Sequence, residues 1–119
     1  MIPAWLRAGH KRRIESNHVV LEAAGPATSG IRTVVAIFDD GRVFVPFSSY
    51  AGVNSGIEIP ALTASEFRAS ADQLFGFNGT EKQARTQSGW LTTERAEPLL
   101  TFCLAVANAY TEEMSTTAP

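Results

Sequence analysis

His10 and His18 are the only imidazoles in the 119-residue chain. Nucleophilic catalysis would need one of them beside a hydroxyl and an acid. The one set that can be assembled is His18 with Ser48 or Ser49 and Asp39 or Asp40. Nothing in the spacing favours it, because the Gly-x-Ser-x-Gly elbow that presents a nucleophilic serine is missing. A half-exposed strand position explains His18 more simply. Asp39, Asp40 and Glu58 could act as paired carboxylates or oxygen ligands. Turn chemistry already accounts for Asp39 and Asp40, and no His or Cys stands at ligand spacing, so neither a metal nor another cofactor is expected. Cys103 is the single cysteine. It falls on an apolar helical stripe with Leu100, Leu104 and Val106, where a buried, unreactive thiol is expected rather than a nucleophile. Gly52 and Gly56 lack the Gly-Lys-Ser/Thr ending of a phosphate-binding loop.

What remains is binding rather than bond-making. Residues 1–14 hold Arg7, Lys11, Arg12 and Arg13 and no acid, while the other residues hold all 12 acids against 6 Lys/Arg. A basic N-terminal segment thus precedes an acidic body. Such a body is a poor surface for nucleic acid, which needs a concentrated positive face, so only the first segment could meet phosphates. Arg7, Lys11, Arg12 and Arg13 are the candidate contacts to a partner. Phe44, on an apolar strand, and Tyr50, in the polar loop 48–56, are the others. That loop is also where a small-molecule pocket would be expected, since functional groups concentrate on loops.

These residues must be positioned by local elements. Pro3 suits the first turn of a short helix to about Ala8, with Trp5 and Leu6 buried. Residues 17–24 alternate as a strand, and 25–30 read as a loop. Ile31–Phe38 and Val43–Phe47 are β-branched and aromatic, joined by Asp39-Asp40-Gly41-Arg42. A two-residue turn at Asp40-Gly41 would set Phe38 opposite Val43 and would put Phe44 on a face with Ile31, Val35 and Ile37. Pro46 should turn an edge outward. Ile57-Glu58-Ile59 could add a fourth strand.

Thr63 and Glu66 have capping-box spacing, and Leu62 and Phe67 staple spacing, so a helix is expected to start at Thr63 and end at Gly76. A short polar helix is expected at 81–87. A long one should follow from about Glu94 to Met114, with Pro98 near its first turn. Ser115–Pro119 should form a frayed tail.

The order predicts one α+β domain over residues 1–114, with an antiparallel sheet of three or four strands packed by two or three C-terminal helices. A small β-barrel closed by helices is the alternative. Apolar residues on both faces of the hairpin, with only 18% charged residues, predict that another subunit covers one face. The expected role is a non-enzymatic interaction module: a regulator, adaptor or stoichiometric inhibitor, homodimeric and bound to another protein. A small-molecule binder or small enzyme and a nucleic-acid binder are the alternatives. No stretch is long and apolar enough for a membrane span, and a lone cysteine suits the cytoplasm.

Overall fold

Strand-forming residues in the first half of the chain pair with their neighbours in sequence, and the result is an antiparallel meander. The computed structural model describes residues 1–23, 33–52 and 58–117, the side chains of 113–117 excepted. Five strands, β1 (Lys11–Ile14), β2 (His18–Glu22), β3 (Thr33–Phe38), β4 (Val43–Val45) and β5 (Ala84–Arg85), lie in the order β1-β2-β3-β4-β5. Five helices accompany them among the described residues: α1 (Ile2–Arg7), α2 (Phe47–Tyr50), α3 (Pro60–Thr63), α4 (Ser65–Phe75) and α5 (Thr93–Thr117). The class is α+β, and the sheet is open rather than a closed barrel. It has one more strand than the upper expectation. Residues 25–30, the start of the hairpin at Ile31, and the stretch Val53–Ile57 lie outside the described residues.

The hairpin forms, but its register differs by one residue from the expected one. Ile37 stands opposite Val43 and Ala36 opposite Phe44. The Gly41 amide donates to the Phe38 carbonyl at 3.1 Å and the Phe38 amide to the Arg42 carbonyl at 2.9 Å, so three residues form the loop. Gly41 takes the positive φ of 87° that this closure requires. Two forces select it. The Asp40 carboxylate accepts from the Arg42 amide and guanidinium, both at 3.1 Å. The segment after β5 also docks on the turn, with Gly89 N–H donating to Asp40 at 2.7 Å and Leu91 N–H to Gly41 at 3.0 Å. A one-residue slip exchanges faces. Phe44 therefore shares a face with Ala36 and Val20, while Val43 and Val45 join Val35 and Leu21 on the other.

That second face belongs to the core. Leu21, Val35, Val43, Val45 and Ala84 cluster with Leu99, Cys103, Val106, Ala107 and Tyr110 of α5 and with Ala71 and Phe75 of α4. These α5 positions recur every three or four residues, so they form a helical stripe. Burying a Leu or Val side chain contributes roughly 1.5–3 kcal/mol, so this layer dominates the stability. On the opposite face Val20 and Ala36 are also buried, and the half-buried His18, Phe38 and Phe44 surround them in the register.

Several expected boundaries move for identifiable reasons. Thr63 is not the cap of the helix that follows: its hydroxyl donates to the Pro60 carbonyl at 3.2 Å, closing the turn that Pro60 begins. Ala64 is extended there, and α4 starts at Ser65 without a side-chain cap. Gly76 ends α4 in the left-handed region as expected, its amide on the Asp72 carbonyl at 2.7 Å. Ala84–Arg85 is a short strand where a polar helix was expected. Ala51 and Glu58 form a single bridge instead of a fourth strand. Pro46 ends β4 at the start of α2 rather than turning an edge, because β5 covers that side. Helix α5 begins at Thr93, one residue early, with the Thr92 hydroxyl accepting from the Arg95 amide, and continues to Thr117, so Pro98 sits inside it in the second turn.

Candidate partner-binding edge

The N-terminal segment is held in place by one aromatic anchor. Pro3 lies in the first turn of α1, and Trp5 is fully buried. The Trp5 indole N–H donates to the Lys11 carbonyl at 2.8 Å, and its ring stacks on His10 at 4.4 Å. Gly9, at φ 93°, reverses the chain between helix and strand. Burial lowers the pKa of His10 from its ordinary value, since the charged ring is the costlier form to desolvate.

Beyond that anchor, β1 forms the outer edge of the sheet. Among the described residues it pairs with β2 alone, with Lys11 opposite Glu22, Arg12 opposite Leu21, Arg13 opposite Val20 and Ile14 opposite Val19. All four of its residues are exposed. Arg13 is neutralised by Glu15 at 2.8 Å and approaches Glu22 at 3.9 Å. Arg7, Lys11 and Arg12 have no carboxylate within salt-bridge distance among the described residues. Two large apolar side chains among the described residues are exposed, Ile14 at 66% and Leu6 at 37%, and both belong to this segment. The sequence had placed Leu6 inside and had not singled out Ile14. A four-residue strand that reads Lys-Arg-Arg-Ile has no alternation to reveal it.

The other two candidate contacts are elsewhere. Phe44 lies on the sheet face away from the core, half-buried, with the Arg85 guanidinium 5.5 Å from its ring centre. Arg42 covers Phe38 in the same way at 4.8 Å, and His18 stacks on Phe38 at 4.9 Å. Cationic and imidazole groups thus cap the apolar rings of that face. Tyr50 is not a surface residue. It is fully buried, its hydroxyl donates to the Val34 carbonyl, and its ring meets Tyr110 and Phe67 edge-on. Burial pushes its phenol well up, and Cys103 and Tyr110 add to the shift. Tyr50 therefore drops out of any binding face.

Of the loop expected to border a pocket, the described residues 48–52 line neither of two surface cavities. The larger, about 690 Å³, opens between the end of α4, residues 85–90 and the start of α5. Phe75, Phe77, Trp90, Asn78, Arg85 and Arg95 line it. Arg95 lies 5.1 Å from the Trp90 ring centre and donates to the Trp90 carbonyl at 2.6 Å. The smaller, about 300 Å³, lies between the β1–β2 turn and the β3 end, beside Asn17 and His18.

His18 and Cys103 are two of the groups the sequence offered as possible reactants. His18 Nδ1 is 2.7 Å from the Asn17 side-chain oxygen, a neighbour in sequence and not an acid. Cys103 is fully buried, and burial pushes its thiol far above the ordinary range, so the thiolate is not available at neutral pH. Among the described residues no three His, Cys, Asp or Glu side chains group as metal ligands, and no helix is long and apolar enough to cross a membrane. No family model, curated protein or solved structure matches the chain.

Proposed function

We propose that the chain is a non-enzymatic protein–protein interaction module, a small regulator, adaptor or inhibitor, that meets its partner through Arg7 and Lys11–Ile14. One observation carries the reading: an outermost strand with every residue exposed, and beside it the two exposed large apolar side chains of the described residues. Cations without carboxylate partners among the described residues, next to exposed Ile14, make a surface suited to an acidic protein that also carries apolar groups. A duplex is the weaker match, because the rest of the chain is acidic and would repel its phosphates. Self-association through the hairpin face also has less support, since Arg85 and Arg42 cap Phe44 and Phe38 there. The single cysteine fits a reducing compartment, and the cytoplasm is the proposed location.

The test is affinity capture from the native host followed by mass spectrometry, run in parallel with two variants. Lys11→Glu combined with Arg12→Glu should lose the specific partner. Lys82→Glu, an exposed charge near the opposite edge, should retain it. A partner retained equally by both variants would remove the edge from consideration. The 690 Å³ groove gives a second reading, a small anionic ligand held by Arg85 and Arg95 over Trp90. It predicts a rise in Tm with an aromatic carboxylate that Arg95→Ala removes.

A further inference from the structure

We propose that the β1 edge takes an acidic, extended segment of the partner protein as an added strand, a mode that rests on the interaction reading above. The Glu15 amide donates to the His18 carbonyl at 2.9 Å, which makes Glu15 and His18 a hydrogen-bonded pair. Antiparallel pairs alternate between bonded and non-bonded. Arg13–Val20 and Lys11–Glu22 are then the next bonded pairs, and the N–H and C=O groups of Arg12 and Ile14 point away from β2. An incoming strand finds those four backbone groups in line, as in other complexes formed by strand addition.

Charge decides which strand fits. Exposed edge strands commonly carry lysine and arginine as a guard against edge-to-edge pairing. Here that guard acts against a second copy, since two β1 strands paired along their full length set arginine against arginine, and like charges directly opposite are destabilising. The same charges attract a segment of the opposite sign. Alternation along β1 sorts its side chains between faces: Arg12 and Ile14 share the core-side face with Leu21 and Val19, and Lys11 and Arg13 share the other. A matching strand therefore carries an acid and an apolar residue two apart on one face, and an acid opposite Lys11 on the other. Arg13 is already matched by Glu15 and Glu22, so Lys11 and Arg12 supply the selectivity.

The experiment uses the full chain and three short synthetic peptides: one containing Val-Thr-Glu-Glu, which in antiparallel pairing sets valine opposite Ile14 and the two glutamates opposite Arg12 and Lys11, the same peptide with alternate backbone amides N-methylated, and one with lysine in place of glutamate. Fluorescence anisotropy reads affinity, and amide hydrogen exchange reads the edge. The glutamate peptide should bind, slow exchange at the Arg12 and Ile14 amides, and lose affinity by about tenfold or more when Lys11 and Arg12 are both changed to Glu. The N-methylated and lysine peptides should not bind. Equal binding of the N-methylated peptide, or binding without protection at Arg12 and Ile14, would overturn strand addition. So would failure of the glutamate peptide to bind while partner capture still depends on Lys11 and Arg12, and in that case the interaction reading survives. A doubled sedimentation mass that Arg12→Glu changes would make a second copy the occupant, and tighter binding of duplex DNA than of the peptide would make it nucleic acid. Loss of both peptide binding and edge-dependent capture defeats the two readings together.

Discussion

The two edges of the sheet are finished in opposite ways. At β5 only Ala84 and Arg85 pair with β4, and a side chain then takes over: the Thr86 hydroxyl accepts from the Val43 amide at 2.8 Å while the Thr86 amide donates to the Val43 carbonyl at 3.0 Å. Residues 88–91 close over the β3–β4 turn beside it. Ala84 is fully buried and Thr86 nearly so. At β1 four residues pair, none is buried, and the defence against unwanted pairing is charge alone. Stability is concentrated at the covered edge, and accessibility at the charged one. A small protein can thus hold a free strand ready without exposing an uncharged, aggregation-prone edge.

The largest effect is expected at the covered edge, at Gly41. A Cβ there would stand 3.0 Å from the Gly89 backbone nitrogen and Cα, at a φ of 87°. Gly41→Ala should cost about 2–4 kcal/mol, combining left-handed strain with overlap against backbone that cannot swing aside. Urea melts should show it, and a variant as stable as the parent would mean that the turn and residues 88–91 do not pack as described. Thr86→Val comes next. It keeps the shape but orphans the buried Val43 amide, for an expected loss of about 1–3 kcal/mol. A loss confined to a few tenths would show that water reaches that amide. At the charged edge, Lys11→Gln with Arg12→Gln should change stability by no more than about 0.5 kcal/mol, because neither side chain has a carboxylate partner within salt-bridge distance to lose among the described residues. A large destabilisation would make β1 a structural strand instead of a free one.

The smallest effect belongs to His10. Its folded pKa lies below the ordinary 6.5. Its contribution is therefore complete above the unfolded value and is lost as pH falls from about 6.5 toward the lowered folded value. NMR titration of the His10 ring should give a midpoint below that of the unfolded chain. An unshifted midpoint would mean that the stack on Trp5 does not hold in solution.

Elements built from strong side-chain preferences were legible in the sequence. Ile, Val and Phe runs announce β3 and β4, the apolar stripe announces α5, and Gly76 stops α4. Elements created by their surroundings were not. β1 carries three consecutive cations before Ile14, shows no alternation, and exists because β2 offers it a ladder. Gln83-Ala84-Arg85 resembles a polar helix until the β4 edge and the Thr86 hydroxyl are considered together. Thr63 carries a capping signature, yet the neighbouring Pro60 turn claims its hydroxyl first. Asp40-Gly41 fits two loop lengths, and the contact of Gly89 with the Asp40 carbonyl, distant in sequence, favours the longer one. Of the candidate contacts, the basic residues were readable as a charge cluster. Ile14 was not, because exposure depends on which strand ends the sheet. Tyr50 was misplaced because a polar-looking loop turned out to include the buried helix α2.

The strand order has a kinetic consequence. Every pairing from β1 to β4 joins strands adjacent in the chain, so each closes a loop at modest entropic cost. The β4–β5 pairing differs, since residues 46–83 must be gathered before Ala84 can meet Val45. Local pairings favour rapid folding, and distant ones delay it. The meander is thus expected to form early and β5 to lock last. Substitutions at Ala84 or Thr86 should then accelerate unfolding while leaving the refolding rate nearly unchanged.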